Sequence, residues 1–135
     1  MENYHEMAGD SYPCYVVDEK KLKQNLKILD VGCGYGFIGI TLSKILNSEV
    51  LMVDVNKRAV HLCERNIKEN KVNAKALVGD TYENVTGKFD IIVTNPPIRA
   101  GKDVVLNILL KAREYLNENG VLCLLLEKTK VLKVS

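Results

Sequence analysis

Short apolar runs alternate with segments of helical periodicity along most of this chain, and this alternation restricts its fold more than any other feature. The runs are apolar at nearly every position, which is typical of strands buried on both faces. Buried strands separated by helices predict a Rossmann-like, doubly wound α/β fold with a mostly parallel sheet. The predicted strands are residues 27–31, 50–55, 74–80, 89–94 and 121–127, with the weakest pattern in 74–80.

Three stretches between these strands repeat apolar residues at helical spacing, and each stripe is expected to face the sheet. Asn56 is predicted to cap the second helix, because its side chain can accept backbone N–H groups. The expected inward residues are Ile38, Leu42 and Ile45 in the first helix, Val60, Cys63 and Ile67 in the second, and Val105, Ile108, Leu109, Ala112 and Leu116 in the third.

The chain has 135 residues, enough for one domain that buries about two thirds of its unfolded surface. We expect residues 1–26 to form an N-terminal segment, partly helical or irregular, and residues 27–135 to form the main domain. Nineteen basic and 17 acidic residues give a net charge of +2. That charge is too small to indicate a nucleic-acid partner by itself.

The four cysteines, Cys14, Cys33, Cys63 and Cys123, are scattered and form no C-x-x-C pair. We interpret them as reduced thiols and expect no structural metal site. No apolar run approaches membrane-spanning length, and the first residues lack the apolar core of a signal peptide. These features predict a cytoplasmic protein without a membrane partner.

A glycine-rich loop, DVGCGYGFIG, follows the first predicted strand and opens the first helix. Its glycines fit two patterns: G-x-G-x-x-G at Gly34, Gly36 and Gly39, typical of dinucleotide sites, and G-x-G-x-G starting at Gly32. Asp30 distinguishes them, because a carboxylate at the strand tip repels the pyrophosphate of a dinucleotide. S-adenosylmethionine carries an ammonium and a sulfonium and has no phosphate, so this cofactor is favoured.

Two further carboxylates end the next two predicted strands. Asp54 can accept hydrogen bonds from both ribose hydroxyls of either cofactor; its structural alternative is a cap for the helix that follows Asn56. Asp80, or the amides beside it, could read the adenine edge, although a plain turn residue is nearly as well supported. The cofactor is therefore expected along the carboxyl edge of the sheet.

The fourth strand ends in Asn95-Pro96-Pro97, a stiff turn with many acceptors and few donors. With a strand order of 3-2-1-4-5, this turn lies beside the glycine loop, across the crevice where the order reverses. The Asn95 side-chain carbonyl and the Pro96 backbone carbonyl could then hold both hydrogens of an exocyclic –NH₂ and aim its nitrogen at a sulfonium methyl. A rigid strand exit without a catalytic role is the structural alternative.

This combination of motifs resembles the class I S-adenosylmethionine-dependent methyltransferases that modify amino nitrogens. The form NPPIRAGK is most similar to the methyltransferase small domain family, which includes enzymes that modify guanine N2 in ribosomal RNA; the likeness covers residues 27–127. It implies an N-methyltransferase domain at residues 27–135 with ribosomal RNA as its partner. It also implies cofactor contacts at Asp30, Gly32, Gly34, Gly36, Asp54 and Asp80, and catalytic roles for Asn95, Pro96 and Pro97 in holding the target amine.

Three positions after Asn95-Pro96 concern the substrate. Ile98 stands where adenine and glutamine methyltransferases usually place Tyr or Phe. It supplies apolar contact without an aromatic face, which is compatible with guanine N2. Arg99 and Lys102 could bind a substrate phosphate, or they could be solvent-facing cations at a helix start, where cations oppose the helix dipole.

Both ends of the chain are shorter than the resemblance implies. After Glu127 only KTKVLKVS remains, enough for at most one short strand in place of much of the usual C-terminal hairpin, and the N-terminal segment is also shortened. A second copy of the chain could cover the exposed edges in a homodimer. Three alternatives stay open: methylation of a protein glutamine or a small molecule, a non-catalytic or weakly active module that binds cofactor or RNA, and a nicotinamide oxidoreductase, against which Asp30 argues.

Overall fold

The computed structural model describes residues 25–96, 101–127 and 130–134. Helices and strands alternate through the first part of these ranges, and a pair of strands closes the chain. The elements are β1 (Lys27–Val31), α1 (Phe37–Leu46), β2 (Glu49–Asp54), α2 (Lys57–Asn70), β3 (Ala74–Val78), β4 (Phe89–Thr94), α3 (Gly101–Tyr115), β5 (Leu116–Glu127) and β6 (Lys130–Val134).

The strands form one sheet in the order β3-β2-β1-β4-β5-β6. The first five strands of that order run parallel, which confirms the predicted order 3-2-1-4-5. β6 pairs antiparallel with β5 and extends the sheet by one strand. The direction of the order reverses at β1, which lies between β2 and β4.

Apolar side chains cover both faces of the sheet, as the unbroken apolar runs predict. On one face, Leu29 and Val53 pack with Ile108 and Ala112 of α3. The opposite face packs against α1 and α2. Its buried cluster contains Ile28, Cys33, Ile40, Leu46, Val50, Met52, Cys63 and Val93.

The predicted inner face of α1 is partly wrong. Ile45 is 58% exposed, and the buried positions of this helix include Gly39, Ile40 and Ser43. The cause is the close approach of the helix to β2: a Cβ at Gly39 would lie 2.4 Å from the Met52 sulfur. Small residues of α1 face the sheet where the helix and β2 are closest. The spacing of the large apolar residues therefore predicted an inner face of α1 that is rotated about the helix axis relative to the observed one.

Two strand predictions also differ from the structure. β3 ends at Val78, and both Leu77 and Val78 are 37% exposed because β3 is an edge strand. β5 begins at Leu116, before the predicted turn, and its pairing with β4 shifts register around Asn119, whose φ is +68°. The helix cap is confirmed: the Asn56 side chain accepts the N–H groups of Arg58 and Ala59.

Candidate cofactor and substrate site

Three strands end within one residue of one another where the strand order reverses. Val31, the last residue of β1, is the register partner of Val53 in β2 and of Thr94 in β4. The residues that directly follow Val31, Val53 and Thr94 are Gly32, Asp54 and Asn95. The parallel register therefore brings together the start of the glycine loop, the carboxylate of β2 and the start of the Asn-Pro turn.

The glycine loop is held against the end of β2 by backbone hydrogen bonds. The N–H groups of Gly32 and Cys33 both donate to the Val53 carbonyl, at 2.8 and 2.9 Å. The Gly34 N–H donates to Asp54 Oδ2 at 2.9 Å. These hydrogen bonds hold the loop on the β2 side of β1, which is the side away from β4.

The glycines of the loop have different surroundings. A Cβ at Gly36 would lie 2.6 Å from the Cys63 sulfur, so Gly36 lets the loop rest on α2, and its φ of +94° suits glycine. Gly39 serves the packing of α1 on Met52. Gly32 and Gly34 have no atom within 4 Å of their Cβ positions among the described residues. Among the described residues these two glycines therefore border open space, whereas Gly36 has a packing role. The predicted cofactor contacts of all three glycines stay predictions.

Asp30 lies beneath the loop, because its side chain points from β1 toward the first turn of α1. It is 1% exposed, and its Oδ2 has no hydrogen-bond partner among the described residues. Burial raises the pKa of this carboxyl from 3.8 to about 7, a rise that the Gly39 N–H opposes and the nearby Asp54 charge increases. A buried acceptor without a donor suits a cationic group and disfavours a phosphate.

Asp54 joins the loop to the start of α2. Besides the Gly34 N–H, its carboxylate accepts the Asn56 N–H through Oδ1 at 2.9 Å. Each carboxylate oxygen can accept further hydrogen bonds, so this structural role leaves room for ribose hydroxyls. A cavity of about 550 Å³ opens beside it, lined by Gly34, Tyr35, Asp54, Asn56, Arg58, Ala59 and Leu62.

The sequence prediction missed several residues at this edge of the sheet. Tyr35 is 65% exposed and lines the cavity, as Arg58 does. Val55 is an exposed apolar residue directly after Asp54. Its position after a predicted ribose-binding carboxylate was the available signal; nothing in the apolar pattern separated Tyr35 or Arg58 from ordinary surface residues.

Asp80 is exposed and begins a turn. The Glu83 N–H donates to the Asp80 carbonyl at 3.0 Å, and the Asp80 N–H donates to Glu83 Oε1 at 3.2 Å. The preceding Gly79 N–H donates to the Asp54 carbonyl at 2.9 Å, which places Asp80 at the same edge as Asp54. The turn geometry supports the structural alternative, and a contact with adenine stays a prediction.

Asn95 and Pro96 follow β4, which lies on the side of β1 opposite to β2. Asn95 is exposed and Pro96 is half-buried. Immediately before them, the buried Thr94 hydroxyl donates to the Val31 carbonyl at 2.8 Å. Lys102 is exposed in the first turn of α3. Pro97, Ile98 and Arg99 lie outside the described residues, so their predicted roles stay predictions.

Other kinds of site receive no support from the described ranges. They contain no group of three or more His, Cys, Asp or Glu side chains that could hold a metal ion. No helix within them has the length and apolar character needed to cross a membrane. A second cavity, of about 500 Å³, lies at the amino edge of β4 and β5 beside Lys88 and Arg113, away from the loops described above.

Comparison with solved structures defines the class of the fold. The structure of a 16S rRNA N2 methyltransferase (RsmC) of T. thermophilus in complex with AdoMet and guanosine matches with a TM-score of 0.75 and 26% sequence identity. The match covers 87% of this chain and 40% of that one. The strand order, the helices on both faces and this match identify the class I methyltransferase fold.

Sequence comparison identifies the family. The profile of the methyltransferase small domain family matches residues 16–133, so the chain belongs to that family. The uncharacterized protein YbxB of Bacillus subtilis (strain 168) is 45% identical over 105 residues, 75% of this chain and 52% of YbxB. Ribosomal RNA small subunit methyltransferase C of Haemophilus influenzae (strain PittEE) is 34% identical over 101 residues, 71% of this chain and 31% of that protein. The chain thus spans about half of the first relative and about a third of the second.

Proposed function

We propose that this chain is an S-adenosylmethionine-dependent N-methyltransferase that acts on an exocyclic amine, with guanine N2 of ribosomal RNA as its substrate. One observation carries the proposal: β1, β2 and β4 end within one residue of one another, so the start of the glycine loop, Asp54 and Asn95 lie side by side. Methyl transfer needs the methyl group of the cofactor and the nitrogen of the amine to lie next to each other. This arrangement supplies neighbouring segments that suit the cofactor and the amine.

The residues at the carboxyl edge fit the cofactor. In the part of the chain that the structure describes, Gly32 and Gly34 border open space, where a ligand could approach the backbone. Asp54 has acceptor capacity left for ribose hydroxyls, and Asp80, at the same edge, would contact the adenine. Asp30 supplies negative charge beneath the loop, which favours the cationic end of S-adenosylmethionine over a pyrophosphate.

Asn95 and Pro96 would orient the amine. S-adenosylmethionine supplies a methyl group on a good leaving group, so the protein needs no strong base. The Asn95 side-chain carbonyl and the Pro96 backbone carbonyl would accept the two amine hydrogens and keep the nitrogen lone pair directed at the methyl carbon. The exposure of Asn95 is compatible with contact to a base that enters from solvent.

Guanine in ribosomal RNA is proposed from the relatives. The T. thermophilus structure contains AdoMet and guanosine, and the Haemophilus influenzae relative is a ribosomal RNA methyltransferase. Arg99 and Lys102 follow the Asn-Pro turn closely in sequence, where cations could bind a backbone phosphate. An enzyme of this kind would act in the cytoplasm.

Calorimetric titration with S-adenosylmethionine, with NAD as the comparison, tests the cofactor. Transfer of a radiolabelled methyl group to ribosomal RNA transcribed in vitro, followed by nuclease digestion and mass spectrometry, tests the substrate. We expect binding of S-adenosylmethionine alone and the appearance of N2-methylguanosine. Label that resists ribonuclease and remains in protein would contradict the RNA substrate, and cofactor binding without transfer to RNA or protein would indicate a non-catalytic module.

A further inference from the structure

Within the described ranges, a side-chain hydrogen bond links β1 to β4, the two strands that lead into the glycine loop and the Asn95-Pro96 turn. Thr94 Oγ1 donates to the Val31 carbonyl at 2.8 Å, across 63 positions of sequence. Thr94 is 1% exposed, so this bond is shielded from water. Both residues are the last of their strands, and they are register partners.

This bond lies at the last residues of β1 and β4, directly before Gly32 and Asn95. Gly32 comes directly after Val31 and turns toward β2, where its N–H and that of Cys33 both donate to the Val53 carbonyl. On the other strand, Pro96 has no N–H to continue a ladder. The Thr94 hydroxyl therefore connects β1 to β4 at the last paired residues of the two strands.

Packing alone does not explain a threonine at this position. Valine has nearly the same shape and would bury another methyl group in place of a hydroxyl, which is costly to bury without a partner. In a fully buried position next to apolar strands, the property that distinguishes threonine is the bond that it donates. The hydroxyl forms a hydrogen bond that joins the Val31 carbonyl of β1 to β4.

We propose that Thr94 is a positioning residue for methyl transfer, whose hydroxyl sets the separation between the glycine loop and the Asn95-Pro96 turn by binding the Val31 carbonyl. This inference rests on the proposed function. Cofactor contacts lie on the β1 and β2 side, and amine contacts lie on the β4 side. Loss of the bond should therefore affect the alignment of the two reactants more than the binding of either one, and a misplacement of about 1 Å can cost roughly 100-fold in rate.

The test compares Thr94→Val, which keeps the shape and removes the hydroxyl, with Thr94→Ser, which keeps the hydroxyl. We expect Thr94→Val to lower kcat by about 10-fold or more, with KM and cofactor affinity nearly unchanged. Thr94→Ser should retain most of the wild-type kcat. Ser43→Ala is the matched control, since Ser43 is also buried and donates to a backbone carbonyl, that of Ser48 at 2.8 Å, remote from the crevice. It should lower stability and leave kcat unchanged.

Equal kcat values for the wild-type protein and Thr94→Val, measured where both are folded, would overturn the inference while leaving the proposed function intact. A wild-type protein without transfer would instead overturn the proposed function. In that case amide hydrogen exchange still tests whether the Thr94 hydroxyl holds the ends of β1 and β4 together. The exchange rates of the Gly32 and Asn95 amides should be higher in Thr94→Val than in the wild-type protein and close to wild type in Thr94→Ser. Equal exchange rates in all three proteins would refute this role of the hydroxyl. If Thr94→Val does not fold, the same comparison between Thr94→Ala and Thr94→Ser takes its place.

Discussion

Replacing Asp30 by Asn removes the ionisable group that lies buried under the glycine loop and should stabilise the protein at neutral and higher pH. Burial raises the pKa of Asp30 from 3.8 to about 7, a difference of about three units. At about 1.36 kcal/mol per unit, the ionised carboxylate costs the folded state about 4 kcal/mol. Asn also fits the Gly39 N–H through its carbonyl oxygen, but its –NH₂ needs an acceptor, so we expect a net gain of about 2–4 kcal/mol.

The pH dependence is set by the sign of this shift. The pKa is higher in the folded than in the unfolded protein, so the folded protein binds the proton more tightly. Ionisation of Asp30 therefore leaves stability unchanged below about pH 4 and lowers it progressively up to about pH 7. The advantage of Asp30→Asn should be small at pH 4, grow through this range and remain constant at higher pH.

Urea unfolding followed by circular dichroism at pH 4, 6 and 8 measures these free energies. Asp90→Asn is a matched control, because the Asp90 carboxylate accepts the Lys27 N–H at 2.9 Å and Asn117 Nδ2 at 3.0 Å and thus has partners. That variant should gain no stability. If Asp30→Asn is no more stable than the wild-type protein at pH 8, the argument from desolvation is refuted.

The affinity for S-adenosylmethionine should change with pH in the direction opposite to the stability of the protein. If the ionised Asp30 attracts the cationic end of S-adenosylmethionine, affinity should rise with pH through about pH 7, as the carboxyl of the free protein ionises. Asp30→Asn should abolish this rise and weaken binding by about 10-fold or more, because the buried negative charge that attracts the cationic end of the cofactor is removed. Calorimetry at pH 6 and 8 measures both effects, and a pH-independent affinity in the wild-type protein would remove Asp30 from the cofactor site.

Three further substitutions test other parts of the site. Asn95→Ala should abolish methyl transfer and leave cofactor affinity nearly intact, because it removes an amine contact only; calorimetry that shows strongly reduced cofactor binding would contradict that role. Asp54→Ala should weaken S-adenosylmethionine by about 1–3 kcal/mol, and an unchanged affinity would mean that the ribose binds elsewhere. Gly39→Ala should destabilise the protein by about 1–3 kcal/mol despite the better helix propensity of Ala, because the new Cβ would lie 2.4 Å from the fully buried Met52 sulfur; a gain in urea-unfolding stability would show that Met52 can move aside.

The strands and the residues that follow them could be predicted because they depend on local patterns, and the strand order could be predicted because the doubly wound fold class restricts it. Unbroken apolar runs indicated the strands, and the carboxyl edge of a parallel sheet brings together the residues that come directly after them. Asp54 and Asn95 are therefore expected at that edge, and the register of β1 with β2 and β4 confirms their positions there. The Asn56 cap was found from residue type alone, since few side chains can accept the first N–H groups of a helix.

The features that could not be predicted depend on distances between elements. The approach of α1 to β2 decides that Gly39 faces the sheet and that Ile45 faces away from it. The register of β1 with β4 decides that Thr94 reaches the Val31 carbonyl. Neither distance has a signal in the spacing of apolar residues, because that spacing records which positions are apolar and not how closely two elements pack.

Asp30 shows how burial changes a role inferred from chemistry. The sequence predicts a carboxylate at the strand tip that attracts an ammonium group, but its side chain lies under the loop with 1% of its surface exposed. Direct contact would require the loop to move or a water to bridge. The charge can nevertheless act through the loop, because a buried charge is poorly screened and its field weakens slowly with distance in a medium of low dielectric constant. The carboxylate that destabilises the empty protein would then favour a cationic ligand, so binding should stabilise the folded state most above pH 7, where Asp30 is ionised.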